Sequence, residues 1–185
     1  MKAKISSLIM KLFGWKYIGD IPTVKKAVII AVPHTSNLDF VWGKLAFVSY
    51  NVQTTILMKK EMFVFPLKYL LKSWGAIPVN RSQKESMTDQ LAEEFSRRDS
   101  LYLSIAPEGT RRHRSEWKRG FYYIALKANV PIYLGEINYQ DKTITCGTAF
   151  YPTGDVEKDM QKIKSNYIHS KPKHADKFSA GIKDN

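Results

Sequence analysis

Cysteine is nearly missing from this chain: Cys146 stands alone among 185 residues. One thiol cannot close an internal disulfide, which fits a reducing compartment. Nor can it supply a zinc site, which takes several Cys and His at short spacing, so no metal is expected. Long apolar runs are missing as well. No stretch reaches the roughly 18–20 apolar residues of a membrane span. The N-terminus lacks the apolar segment and small-residue cleavage site of a secretory signal, so cytosolic synthesis is expected. No G-x-S-x-G elbow is present, which excludes a serine nucleophile built on that plan. There is no internal repeat, low-complexity tract or linker, and the length suits one domain with a real core.

Acidic residues are scarce, 17 against 29 Lys and Arg, leaving a net charge of +12. A basic surface attracts nucleic acid, anionic lipid headgroups or phosphorylated small molecules. Charge alone does not choose among them. The basic residues recur at Lys59-Lys60, Arg97-Arg98, from Arg111 to Arg119, and from Lys158 to Lys183. The last stretch reads as a solvated helix and a loose end. No signature of the usual nucleic-acid-binding modules accompanies the charge, so that class is the runner-up. With 44% hydrophobic and 25% charged residues the chain has an ordered, globular composition.

What is present is an alternation of strand and helix patterns. Strands are expected at 27–32, 54–58, 76–79, 101–106, 132–137 and 143–149. Helices are expected at 37–50, 84–98, 118–128 and 155–167. The stretch 61–74 is apolar but broken by Pro66, so it reads as two short helical pieces. This alternation predicts an α/β fold, a single domain with a largely parallel sheet flanked by helices. Residues 2–15 place Ile5, Leu8, Ile9, Leu12 and Phe13 at helical spacing against Lys2, Lys4 and Lys11. That N-terminal amphipathic helix suits a membrane interface; it equally suits docking on the core. The division read from the chain is 1–15 for this interfacial helix, 16–170 for the main domain, and 171–185 for a basic C-terminal tail.

Chemistry concentrates in loops that follow strands, where ligand sites of open α/β sheets gather. His34 follows the first strand, and Asp39 comes five residues later in Pro33-His34-Thr35-Ser36-Asn37-Leu38-Asp39. A histidine can take and return a proton near neutral pH. A carboxylate on its second nitrogen fixes the tautomer and supports the imidazolium. Ser36 to Asp39 is also a capping box, in which Asp39 only satisfies a backbone donor. The two roles are compatible. Pro107-Glu108-Gly109-Thr110-Arg111 follows another strand, though it could be simply a turn, with Glu108 paired to Arg81 or Arg111. His113, His169 and His174 lie among charges and are expected in solvent.

Four segments in order carry a resemblance: His34-x4-Asp39; Gly75-Ala76-Ile77-Pro78-Val79-Asn80-Arg81; Pro107 to Arg111 followed by Trp117-Lys118-Arg119-Gly120-Phe121; and Val130-Pro131-Ile132. From about Trp15 to Ile137 the chain resembles the glycerolipid acyltransferases, the 1-acylglycerol-3-phosphate acyltransferase family. The resemblance implies a glycerol-3-phosphate acyltransferase-like fold. It also implies transfer of a fatty acyl group from an acyl thioester, acyl-CoA or acyl-ACP, to the hydroxyl of a lysophospholipid in phospholipid biosynthesis. Another lyso-lipid, such as an amino-acid lipid, is the alternative acceptor. His34 would be the base and Asp39 its orienter. Arg81 would hold the acceptor phosphate, with Gly75, Glu108, Gly109, Thr110 and Arg111 in the binding pocket. No cofactor is implied beyond the thioester co-substrate. The implied partners are the donor (with acyl carrier protein as one form), the acceptor and an anionic membrane surface, not nucleic acid. The implied place is cytoplasmic, peripheral on the inner face of the cytoplasmic membrane. The third segment departs from the family at Ala106 and Arg112, and the fourth at Leu134.

Overall fold

The run Lys26–Val32 is apolar at every position after the first, and in the computed structural model it is β2, the middle strand of the sheet. The structure describes residues 1–79 and 84–181. A strand without polar alternation must be covered on both faces. Val28, Ile30 and Val32 meet side chains of α4 (Lys84–Arg97), α5 (Gly120–Ala128) and α6 (Val156–Ser165). Ala27 and Ile29 point the other way, toward Phe47 of α2 (Asn37–Ser49). Helices therefore sandwich the sheet, as expected.

The remaining strands are β1 (Lys16–Ile18), β3 (Thr54–Lys59), β4 (Ala76–Val79), β5 (Leu101–Ile105), β6 (Ile132–Asn138) and β7 (Thr143–Phe150). Their order is β1-β7-β6-β2-β5-β3-β4. Every described pairing is parallel except β6 with β7. β1 was not anticipated from the sequence: three residues carry no period, and pairing with β7 alone makes them a strand. The stretch around Pro66 divides as expected, into a 3-10 turn at Lys60–Met62 and α3 (Leu67–Ser73).

The N-terminal helix α1 (Lys2–Leu12) does two things at once. Ser6 and Met10 are buried, and Met10 joins a cluster with Trp15, Trp42, Ala46, Ile137 and Ile144. Trp15 stacks on Trp42 with ring centroids 4.9 Å apart. Ile5, Leu8, Leu12 and Phe13 remain exposed. Core docking and an outward apolar stripe coexist because they use different faces. Among the described residues no helix is long and apolar enough to cross a membrane.

The C-terminal stretch departs from expectation. Through residue 181 it is tied down rather than loose. Phe178 and Ala180 pack against the main core, Trp117 Nε1 donates to the Ser179 carbonyl at 3.0 Å, and Lys164 Nζ donates to the Gly181 carbonyl at 2.9 Å. High lysine content had hidden a few apolar anchors.

Candidate active site

Three chain segments converge because the sheet register makes them neighbours. Ile30 pairs with Ile105 on one side of β2, and Val32 pairs with Glu136 on the other. The chain leaving β2 carries His34, the chain leaving β5 carries Glu108, and the chain leaving β6 carries Tyr139. All three loops emerge at the same edge of the sheet.

His34 Nδ1 lies 3.6 Å from Asp39 Oδ2, with the His34 side chain 24% exposed and that of Asp39 1% exposed. The carboxylate is fixed from several sides. Its Oδ2 accepts the backbone N–H groups of Thr35 at 2.6 Å and Ser36 at 2.7 Å, and its Oδ1 accepts the Tyr139 hydroxyl at 2.6 Å. With Ser36 it closes the capping box at the start of α2. One side chain thus caps α2 and faces the imidazole. Burial lowers the His34 pKa below its ordinary value, the Arg111 charge lowers it further, and Asp39 opposes them. The balance favours the neutral imidazole. With Nδ1 facing Asp39, Nε2 is the nitrogen left to receive a proton, the arrangement of a general base.

Glu108 is 3% exposed and lies behind His34. Its Oε1 accepts the His34 backbone N–H at 2.9 Å, and its Oε2 is buried with no hydrogen-bond partner among the described residues. Burial pushes its carboxyl up to about 7; the amides of His34 and of Glu108 itself oppose the shift, and Asp39 adds to it. It is not paired with Arg111, whose Nη1 instead donates to Asn37 Oδ1 at the mouth of α2. That bond ties the two loops together and sets a positive charge beside His34.

Gly109 has φ +67°, in the left-handed region that suits glycine. A Cβ there would come within 2.9 Å of the Lys118 side chain, so the stem of Lys118 lies over this turn. Thr110 Oγ1 accepts the Arg112 N–H at 3.3 Å, closing the same turn. Gly75 does not join the group. It precedes β4, at the opposite edge of the sheet from His34, with φ +80° and the Thr54 carbonyl 2.8 Å from where a Cβ would stand. Its place is a tight turn between α3 and β4, away from the loop that carries His34. Arg81 lies outside the described residues. Among the described residues no group of three His, Cys, Asp or Glu side chains is placed to hold a metal ion.

Tyr139 was not singled out in the sequence, and Lys118 only as part of the Trp117 to Phe121 segment. Tyr139 is separated from Asp39 by 100 positions, and nothing local marks it. Lys118 joins this turn through its amide, which donates to the Pro107 carbonyl at 2.8 Å.

Two comparisons with known proteins bear on this arrangement. The family model described as Acyltransferase matches residues 16–133, a span that includes His34, Asp39 and the segment from Glu108 to Arg111. The fold is similar to the crystal structure of the 1-acyl-sn-glycerophosphate (LPA) acyltransferase, PlsC, from Thermotoga maritima. The TM-score is 0.65, at 16% identity, over 89% of this chain and 76% of that one.

Proposed function

The chain belongs to the acyltransferase family, and from that premise we propose that it esterifies the free hydroxyl of a lysophospholipid such as 1-acylglycerol-3-phosphate with the acyl group of a thioester, acyl-CoA or acyl-ACP. The observation that carries this reading is a part-exposed His34 backed by a buried Asp39 held by three hydrogen bonds. In the proposed step His34 Nε2 takes the proton of the acceptor hydroxyl as its oxygen attacks the thioester carbonyl. The C–S bond then breaks, and the imidazolium returns its proton to the departing thiolate. No acyl-enzyme is required, because the thioester is already activated.

The other roles follow from position and charge. Arg111, next to His34, and Arg81, by resemblance, supply fixed guanidinium donors for the acceptor phosphate. Thr110 and Gly109 shape the turn that carries Arg111, and Lys118 backs it. Glu108 acts through the His34 backbone rather than by gripping the acceptor, since its bonded oxygen faces that amide.

The acceptor lives in a bilayer, and the exposed stripe of Ile5, Leu8, Leu12 and Phe13 with Lys2, Lys4 and Lys11 supports docking on an anionic membrane. Peripheral attachment at the cytoplasmic face is the proposed place of action. The test is incubation with labelled acyl-CoA or acyl-ACP and vesicles carrying a panel of lyso-lipids, with products identified by mass spectrometry. Esterified lysophosphatidate is the expected product. Absence of transfer to every lyso-lipid with either donor would contradict the reading.

A further inference from the structure

The segment after β6 lies beyond the stretch matched by the family model, yet it closes the back of the site. The Tyr139 hydroxyl donates to Asp39 Oδ1 at 2.6 Å, while Asp39 Oδ2 is occupied by the Thr35 and Ser36 amides. Without the phenol, one carboxylate oxygen in a nearly sealed position would have no donor. Tyr139 is itself immobilised: Trp15 meets its ring edge-on at 5.0 Å, and its amide donates to the Lys171 carbonyl at 2.8 Å. Three residues further on, the His174 amide donates to Thr35 Oγ1 at 3.3 Å, on the same loop as His34. The C-terminal segment therefore braces the His34 loop at two points, through Tyr139 and through Thr35.

We propose that Tyr139 is a positioning residue of this site, holding the Asp39 carboxylate in register with His34 and partly neutralising its charge. The proposal rests on His34 acting as the base. Its physical content is an electrostatic coupling. A phenol O–H aimed at a carboxylate draws off part of its negative charge. Removing that proton donor makes Asp39 a stronger counter-charge for the imidazolium and leaves its rotamer less constrained. Asp39 from α2, and Arg111 and Glu108 from the loop after β5, are the charged or titratable groups that face His34. Asp39 is faced by Tyr139, while the C-terminal segment brings His174 to Thr35 through its backbone. Tyr139→Phe changes only the coupling through Asp39.

The experiment follows the His34 ring by NMR titration in the full chain, its signal assigned with His34→Gln, alongside steady-state rates. In Tyr139→Phe the His34 pKa should rise, and the acid limb of kcat/KM should move to higher pH with it. The kcat should fall about threefold to tenfold, the scale of one lost hydrogen bond, with the acceptor KM unchanged. In an Asp39→Asn background the same substitution should leave the His34 titration where it was, because the intermediary is gone. Fluorotyrosine labelling needs no substitution; the more acidic phenol is a stronger donor and should move the His34 pKa down. An unchanged His34 titration in both the variant and the labelled protein would overturn the proposal. So would an equal shift in the Asp39→Asn background. A tyrosine that only filled space would tolerate phenylalanine, with neither stability nor the His34 titration moved. Should His34→Ala turn over normally while the coupling is present, the base assignment fails and the Tyr139 contact stands.

Discussion

The oxygen of Asp39 that faces His34 Nδ1 at 3.6 Å is the same oxygen that accepts the Thr35 and Ser36 amides at 2.6 and 2.7 Å. The carboxylate therefore caps α2 and faces the imidazole in one conformation. The amides set the position of the charge, and the charge acts on the imidazole.

Asp39→Asn is expected to damage both functions. The amide side chain has one acceptor oxygen where the carboxylate uses two, and its NH2 would face either the two backbone donors or the Tyr139 proton. The expected cost is about 1–3 kcal/mol of stability, the penalty for a buried polar group losing a charge-assisted partner. With the negative charge gone, the His34 pKa should fall further. Urea unfolding and the pH dependence of kcat/KM measure the two effects. Full stability in Asp39→Asn would mean that the three bonds to Asp39 contribute nothing net.

Glu108 makes folding stability depend on pH. Its carboxyl is raised from 4.5 to about 7 in the folded chain, so between those values the folded state holds a proton that the unfolded state has released. Stability from this group is fully present below about pH 4.5, declines as pH rises, and is gone above about pH 7. Glu108→Gln has no proton to lose. Its unfolding midpoint should be flatter than that of the parent chain across this window. Parallel slopes for the two proteins would show that Glu108 is ionised throughout.

Much of this site was legible in the sequence because its parts sit at strand ends and helix starts, where local chemistry leaves a mark. An apolar run followed by His34, a capping box ending at Asp39, and a second apolar run followed by Glu108 needed only their spacing to be noticed. The parallel sheet followed from the alternation of strands and helices, and adjacency of β2 and β5 then brought the loops together. Gly75 was drawn into the pocket by resemblance alone, whereas the expected strand at 76–79 already put it at the start of a parallel strand, the end opposite His34. Tyr139 left no local trace because its role is fixed by the pairing of β6 with β2. The anchoring of Phe178 and Ala180 was masked by the lysines around them.

Membrane docking can be tested without disturbing the core. Deleting residues 1–13 would also remove Met10 from its cluster with Trp15 and Trp42. Leu8→Asp combined with Leu12→Asp changes only the exposed stripe. Sedimentation with anionic vesicles should show weaker binding by this variant at an unchanged melting temperature. Added salt should weaken what remains, since each lysine at an anionic surface contributes about 1 kcal/mol. Unchanged binding would place the membrane contact elsewhere, with the exposed Phe65 and Leu70 the next candidates.

Single-turnover acyl transfer by His34→Ala tests most directly whether His34 removes the acceptor proton. The substituted side chain lies at the surface edge of the site, and the Glu108 contact is to the backbone amide, which alanine retains. The fold should therefore persist, as circular dichroism and unfolding can verify. The rate should fall about 10²–10⁴-fold below that of the parent chain, the usual worth of a positioned base, with binding of the acceptor largely preserved. A folded His34→Ala protein that transfers acyl groups at close to the parent rate would contradict the assignment of His34 as base.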